Sequence, residues 1–119
     1  MEKWIVDISL IESWLSGLDK QTQRHVVAAV IILEREGPQL GRPLVDTVKG
    51  SRHKNMKELR PSSSGRSEIR VLFAFDHQRR AILLVGGDKQ NLWNKWYSRQ
   101  IIRADALYDQ YLREKKDMK

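Results

Sequence analysis

The run Ile69-Arg70-Val71-Leu72-Phe73-Ala74-Phe75, followed after a polar turn at residues 76–79 by Arg80-Ala81-Ile82-Leu83-Leu84-Val85, decides the class of fold. Both runs are short, rich in branched and aromatic residues and bounded by polar ones, as strands joined by a tight turn are. A third such run, 57–60, precedes them across the loop Pro61-Ser62-Ser63-Ser64-Gly65. An antiparallel meander is the simplest path through all three. Period-two alternation in Ile69–Phe75 sends Ile69, Val71, Phe73 and Phe75 to a core, and Arg70, Leu72, Ala74 and then Asp76 to the other side. In 57–60, Leu59 joins the core and Glu58 with Arg60 join the second side. Arg60 and Arg70, on neighbouring strands, are therefore expected on one surface.

Upstream, the period is helical. Residues 2–8 alternate, with Trp4, Val6 and Ile8 on one side, and predict a short opening strand. Ser9-Leu10-Ile11-Glu12 has the form of a capping box, and Leu10, Ile11, Trp14, Leu15 and Leu18 continue as one apolar stripe to a stop near Gly17. Asp19 can cap a second helix to about Glu36, buried along Val26, Ala29, Val30 and Leu33 and ended by Gly37-Pro38. Residues 37–46, with two Pro and two Gly, are expected as a loop. Asn91 or Asn94 can cap a last helix to about Lys116, with Tyr97, Ile101, Ala104, Tyr108 and Tyr111 at helical spacing. Strand, two helices, three strands and helix give an α+β fold: an antiparallel sheet with helices on one face and the other face open.

The chain has 119 residues, 40% of them hydrophobic and 31% charged, enough for one core with a well-solvated surface. One domain over residues 1–119 is expected. With no cysteine, disulfides, thiolate metal sites and thiol nucleophiles are excluded, and three scattered histidines make no metal site, so neither metal nor cofactor is expected. The longest apolar run, 26–33, is far short of the roughly 20 residues a bilayer demands. The start Met1-Glu2-Lys3-Trp4 lacks the pattern of a secretory signal, which leads to the expectation of a cytoplasmic protein. The net charge of +7 is unevenly placed: residues 1–46 carry five Lys/Arg against seven Asp/Glu, and residues 47–119 carry seventeen against eight. Such a basic half suits a polyanion, bound with counterion release. A basic surface that only aids solubility is the other reading of the same numbers.

Asn55-Met56-Lys57-Glu58-Leu59-Arg60, then Arg70-Val71-Leu72-Phe73-Ala74-Phe75-Asp76, then Ile82-Leu83-Leu84-Val85 leading to Gly87-Asp88-Lys89, together resemble the RelE/ParE superfamily, and within it the phage-derived HigB-like toxins. Gly37-Pro38-Gln39-Leu40-Gly41-Arg42-Pro43, Trp96-Tyr97 and Ala104-Asp105 extend the resemblance over nearly the whole chain. It implies a RelE-like fold, a twisted antiparallel sheet with an N-terminal helical hairpin and a C-terminal helix packed on one face. It also implies the toxin of a type II toxin–antitoxin system. RelE and HigB cut mRNA in the ribosomal decoding site without a metal, by attack of the ribose 2′-hydroxyl on the adjacent phosphate. ParE, on the same scaffold, inhibits DNA gyrase, so a non-enzymatic inhibitor is the alternative. The partners implied are a cognate helix-turn-helix (HigA-like) antitoxin, the ribosome and mRNA, with operator DNA bound only through the antitoxin, since the chain itself shows no recognition-helix pattern.

In-line transesterification needs oriented reactants and positive charge where the phosphorane becomes negative. Arginine suits that task because its fork holds two phosphate oxygens and stays charged. Arg60 and Arg70 are the first candidates, with pairing to Glu58, Glu68 or Asp76 as the competing role. Neither belongs to the expected core stripe, so alanine at either is expected to shift stability by only about 0.5 kcal/mol. Lys89 is a third catalytic candidate, at the place where the resembled branch carries basic residues. Arg52, His53 and Lys57 are candidates for RNA binding, His53 also as a proton acceptor, although strict alternation points Lys57 to the Leu59 side. Trp96, with Trp93 and Tyr97, could stack on bases, with anchoring of the last helix to the sheet as the stronger competing role.

Overall fold

Asp19 starts the long N-terminal helix by accepting hydrogen bonds from Thr22 N at 3.1 Å and Thr22 Oγ1 at 2.6 Å. In the computed structural model, which describes residues 3–63, 65–90 and 92–117, this helix, α2, spans Lys20–Glu36. It stops at Gly37, whose φ of +60° suits glycine and whose missing side chain leaves room for the Trp4 indole. Trp4 in turn meets Phe75 edge-on at 5.1 Å, which ties the helix end to the sheet. The expected capping box at Ser9 does not form. Ser9 N and Ser9 Oγ both donate to Asp7 Oδ1, at 2.9 and 2.7 Å, so the serine is held by the preceding strand. A 3-10 turn at Ser9–Ile11 then leads into a short helix α1, Glu12–Ser16.

Five strands form one sheet: β1 (Ile5–Asp7), β2 (Val45–Thr47), β3 (Met56–Leu59), β4 (Ile69–Phe75) and β5 (Arg80–Asp88), in the order β1-β5-β4-β3-β2. The meander β3-β4-β5 is antiparallel as expected. The sheet as a whole is mixed, because β1 runs parallel to β5 with Ile5 opposite Arg80. The stretch 37–46, expected as a loop, also supplies most of an edge strand: Val45 pairs with Leu59 and is 4% exposed. Between β4 and β5, Leu72 faces Val85 while Phe73 faces Leu83, which leaves Leu84 as the extra residue of a bulge. The C-terminal helix α3 spans Asn94–Asp117. Asn91, the other candidate cap, lies outside the described residues.

The helices do not share one face. Leu59, Val71, Phe73, Ala81 and Leu83 pack with Ile11, Ala29 and Leu33, whereas Met56, Leu72, Ala74, Ile82 and Leu84 pack with Trp96, Ile101, Ala104 and Tyr108. Thus α3 covers the face expected to be open. Both parities of β4 are apolar, and Leu72 and Ala74 are wholly buried. Burying one leucine side chain is worth about 1.5–3 kcal/mol, which an uncovered face would forgo. At the far end of β5 the two layers nearly meet across the backbone, because Gly86 lies against the Trp14 ring and Gly87 against the Trp96 indole, each where a side chain would collide. Among the described residues no helix is long and apolar enough to cross a membrane.

Candidate functional site

With α3 covering most of its face, the polar residues of that side are gathered where the strands emerge beyond the first turn of the helix. Glu58, from β3, is 3% exposed and sits at the centre. Its Oε1 accepts from Arg60 Nε at 2.6 Å and from the Tyr97 hydroxyl at 3.1 Å, and lies 3.7 Å from Arg70 Nε. A carboxylate buried this deeply needs such compensation. Arg60 also reaches Asp46 Oδ2 at 3.1 Å through Nη2, and Glu58 first, then Asp46, hold its guanidinium above the usual arginine range.

Arg70 is the more enclosed arginine, with a side chain 14% exposed against 33% for Arg60. Its Nη1 donates to Ile69 O at 2.8 Å, but its Nε is buried and has no hydrogen-bond acceptor. That buried Nε is compensated by the longer ion pair to Glu58 at 3.7 Å. Tyr97 is pushed up to about 12 by burial and by its hydrogen bond to Glu58. It is therefore a proton donor at neutral pH, not a base.

Lys89 follows β5 directly. Its backbone N donates to Glu68 O at 3.0 Å, while Asp88 Oδ1 accepts from Glu68 N and Gln90 N, both at 2.9 Å, so the end of the hairpin is laced shut. This presents the Lys89 ammonium 5.3 Å from the Tyr97 ring and 5.4 Å from the Trp93 ring. Arg60, Lys89, Lys49, Glu58, Asp46 and Tyr97 line one open cleft of ≈ 390 Å³. Arg70 borders a second, of ≈ 580 Å³, with Arg66, Glu68, Gln90 and Trp93. Lys49, Arg60 and Lys89 thus stand against two carboxylates, Asp46 and Glu58, in the first cleft, and Arg66 and Arg70 against Glu68 in the second.

The structure brings Arg60, Arg70 and Lys89 together, and it shows that the competing role of the arginines is also real, through Glu58 and Asp46 and not through Glu68 or Asp76. Their removal is no longer a surface change. Arg52 and His53 lie elsewhere. Arg52 Nη2 and His53 Nε2 both bond Asp109, at 2.6 and 2.8 Å, and buried Asp105 accepts from Ser51 Oγ and from Arg52 N at 3.0 Å. Loop 48–55 is thereby strapped to α3 at a level about 12–18 Å beyond Tyr97, from a rise of about 1.5 Å per residue. Arg52 first, then His53, hold the Asp109 carboxyl below the usual carboxylate range.

Lys57 follows strict alternation to the α2 side, where its Nζ donates to Thr47 Oγ1 at 3.1 Å, away from the two arginines. Trp96 is 4% exposed and packs on Gly87, so the ring expected to stack on a base is covered by the protein itself. Sequence reasoning missed Glu58 as the centre of the site and Asp46 as its outer partner. The spacing of Glu58 and Arg60, two residues apart on one strand face, was the available signal. Among the described residues no cluster of three or more His, Cys, Asp or Glu is placed to hold a metal ion.

Comparison with known proteins finds relatives over most of the chain. Residues 13–109 match the family described as phage-derived protein Gp49-like. A Mycobacterium tuberculosis protein named "Putative toxin HigB2" is 54% identical over 116 residues, 98% of this chain and 58% of that protein. A second from the same organism, named "Putative toxin HigB3", is 44% identical over 108 residues, 91% of this chain and 92% of that protein. The chain therefore spans little more than half the length of the first relative and nearly all of the second. On the extent of these matches, the chain belongs to the Gp49-like family of phage-derived proteins, within the RelE/HigB-type toxins.

Proposed function

We propose that this chain is the toxin of a type II toxin–antitoxin pair, with a RelE-like fold, and that it cuts mRNA on the ribosome in the cytoplasm. The observation that carries the reading is the gathering of Arg60, Arg70 and Lys89 around buried Glu58 and the Tyr97 that bonds it. The reaction is internal transesterification. The ribose 2′-oxygen attacks the adjacent phosphorus, the bond to the 5′-oxygen breaks, and a cyclic phosphate and a free 5′-hydroxyl result.

Arg60 and Lys89, which face the first cleft, neutralise the phosphorane as it forms, and Arg70 supports it from the wall. Glu58 holds both guanidinium planes, and protonated Tyr97 orients Glu58 in turn. No histidine lines the cleft, so the rate gain comes from orientation and charge. A neighbouring HigA-like antitoxin would cover this basic rim or bar entry to the ribosome. The test is cleavage of mRNA on purified ribosomes by the full chain, with and without the product of the adjacent reading frame. Intact mRNA in the presence of a folded, antitoxin-free chain sinks the proposal.

A further inference from the structure

Trp93 occupies a position where the core gains nothing from a tryptophan, its one ring contact among the described residues being the Lys89 ammonium. It immediately precedes α3, where its carbonyl accepts from Trp96 N at 3.1 Å, a place best served by Ser, Thr, Asp or Asn. Its φ is +47°, a left-handed conformation that glycine or asparagine adopts readily and a bulky side chain does not. Its side chain is also not in the core, since Trp93 is 63% exposed while its neighbour Trp96 is 4% exposed. Strained backbone and an uncovered large ring at one residue are a pattern of functional sites. The surroundings say which function. Lys89 Nζ lies 5.4 Å over the ring, and the ring walls the cleft of ≈ 580 Å³ that Arg70 and Arg66 also line.

We infer that Trp93 is a stacking platform for one unpaired base of the RNA, next to the phosphate gripped by Arg70 and Lys89. This rests on the proposed ribonuclease reading and adds to it the group that receives the base. Aromatic faces stack on any base, and cations beside them take the flanking phosphates, so the combination fits single-stranded RNA better than an apolar protein segment.

The experiment compares wild type, Trp93→Asn and Trp93→Phe on ribosomes programmed with a natural mRNA or with one carrying a single abasic nucleotide at each position flanking the cut. Wild type should lose about tenfold in kcat/KM at one abasic position, the worth of one stacked base. Trp93→Asn should cut the natural mRNA about tenfold more slowly and be indifferent to that abasic position, while Trp93→Phe keeps most of the wild-type rate and sensitivity. Its melting temperature should be unchanged or raised by up to about 3 °C, because asparagine relieves the left-handed strain. A Trp93→Asn protein that cuts at the wild-type rate, that stays sensitive to the abasic position, or that changes only its binding to the antitoxin overturns the inference and leaves the ribonuclease reading standing. No cleavage of any template by wild type overturns that reading, and the platform with it.

Discussion

Replacing Arg70 by alanine separates what the residue does for the fold from what it does for the substrate. Glu58 has a side chain only 4% exposed, and Arg70, at 3.7 Å, is one of three groups that offset its burial. Breaking a buried ion pair by removing one partner costs about 3–5 kcal/mol when nothing else compensates. Here Arg60 and Tyr97 stay on the same oxygen, so the loss should fall to about 1–3 kcal/mol. In a domain of this size that is roughly 4–12 °C in melting temperature. The added change Glu58→Gln should restore a good part of it, since a neutral amide no longer requires two guanidinium groups. Cleavage on ribosomes should behave differently. Arg70→Ala should lower the rate by about 10²–10³, measured well below its melting temperature, and Glu58→Gln should not bring it back. Arg70→Lys should recover little, because lysine keeps the charge and lacks the fork. A folded Arg70→Ala protein that cuts at the wild-type rate would falsify the catalytic role. A melt within about 1 °C of wild type would refute the electrostatic account of Glu58.

Three other outcomes are expected. Tyr97 and Tyr111 are both pushed up to about 12 from 10.0, so the stability they contribute is complete below pH 10 and is lost as pH rises towards 12. Denaturant midpoints measured over that range should fall, and Tyr97→Phe should flatten the fall. Gly86→Ala sets a methyl group into the Trp14 ring on the buried side of β5, and chemical denaturation should show a loss of about 1–3 kcal/mol. Asp105→Ala removes the acceptor of Ser51 Oγ and Arg52 N. Hydrogen exchange in loop 48–55 should then quicken while the strands keep their protection.

The helix signals near Asp19 and Gly37 and the three meander strands were legible because they rest on local chemistry: a side-chain cap, a left-handed stop, period-two alternation. What escaped was set by partners distant in sequence. Nothing near residues 45–47 announces an edge strand, since the strand is ordered by pairing with residues 57–59 and by burial of Val45 in the sheet core. The side taken by α3 could have been read from Leu72 and Ala74, whose apolar character on the second face of β4 marks a strand buried on both sides. Arg60 and Arg70 were reached by charge and alternation and Lys89 through the family resemblance, but the carboxylate that gathers the two arginines was read only as a competitor. Trp93 and Trp96 could not be told apart by spacing, because helical phase starts only at Asn94 and the positive φ turns Trp93 out of it. Arg52 and His53 looked free because Asp105 and Asp109, their tethers, lie more than fifty residues on.

The bulge at Leu84 decides which side of the molecule carries Lys89. Before it, the even positions Ile82 and Leu84 face α3; after it, the odd positions Val85 and Gly87 do. Lys89 inherits the odd parity and so comes to lie beside Tyr97 and Trp93. Removing the one extra residue would join Leu83 to Val85 in a continuous ladder and leave Val85, Gly87 and Lys89 on the α3 side, still opposite their present partners. Drawing Leu84 into the ladder at unchanged length would instead turn Lys89 to the α1 side, so the extra residue, touching no charged group, sets where the ammonium of the rim stands.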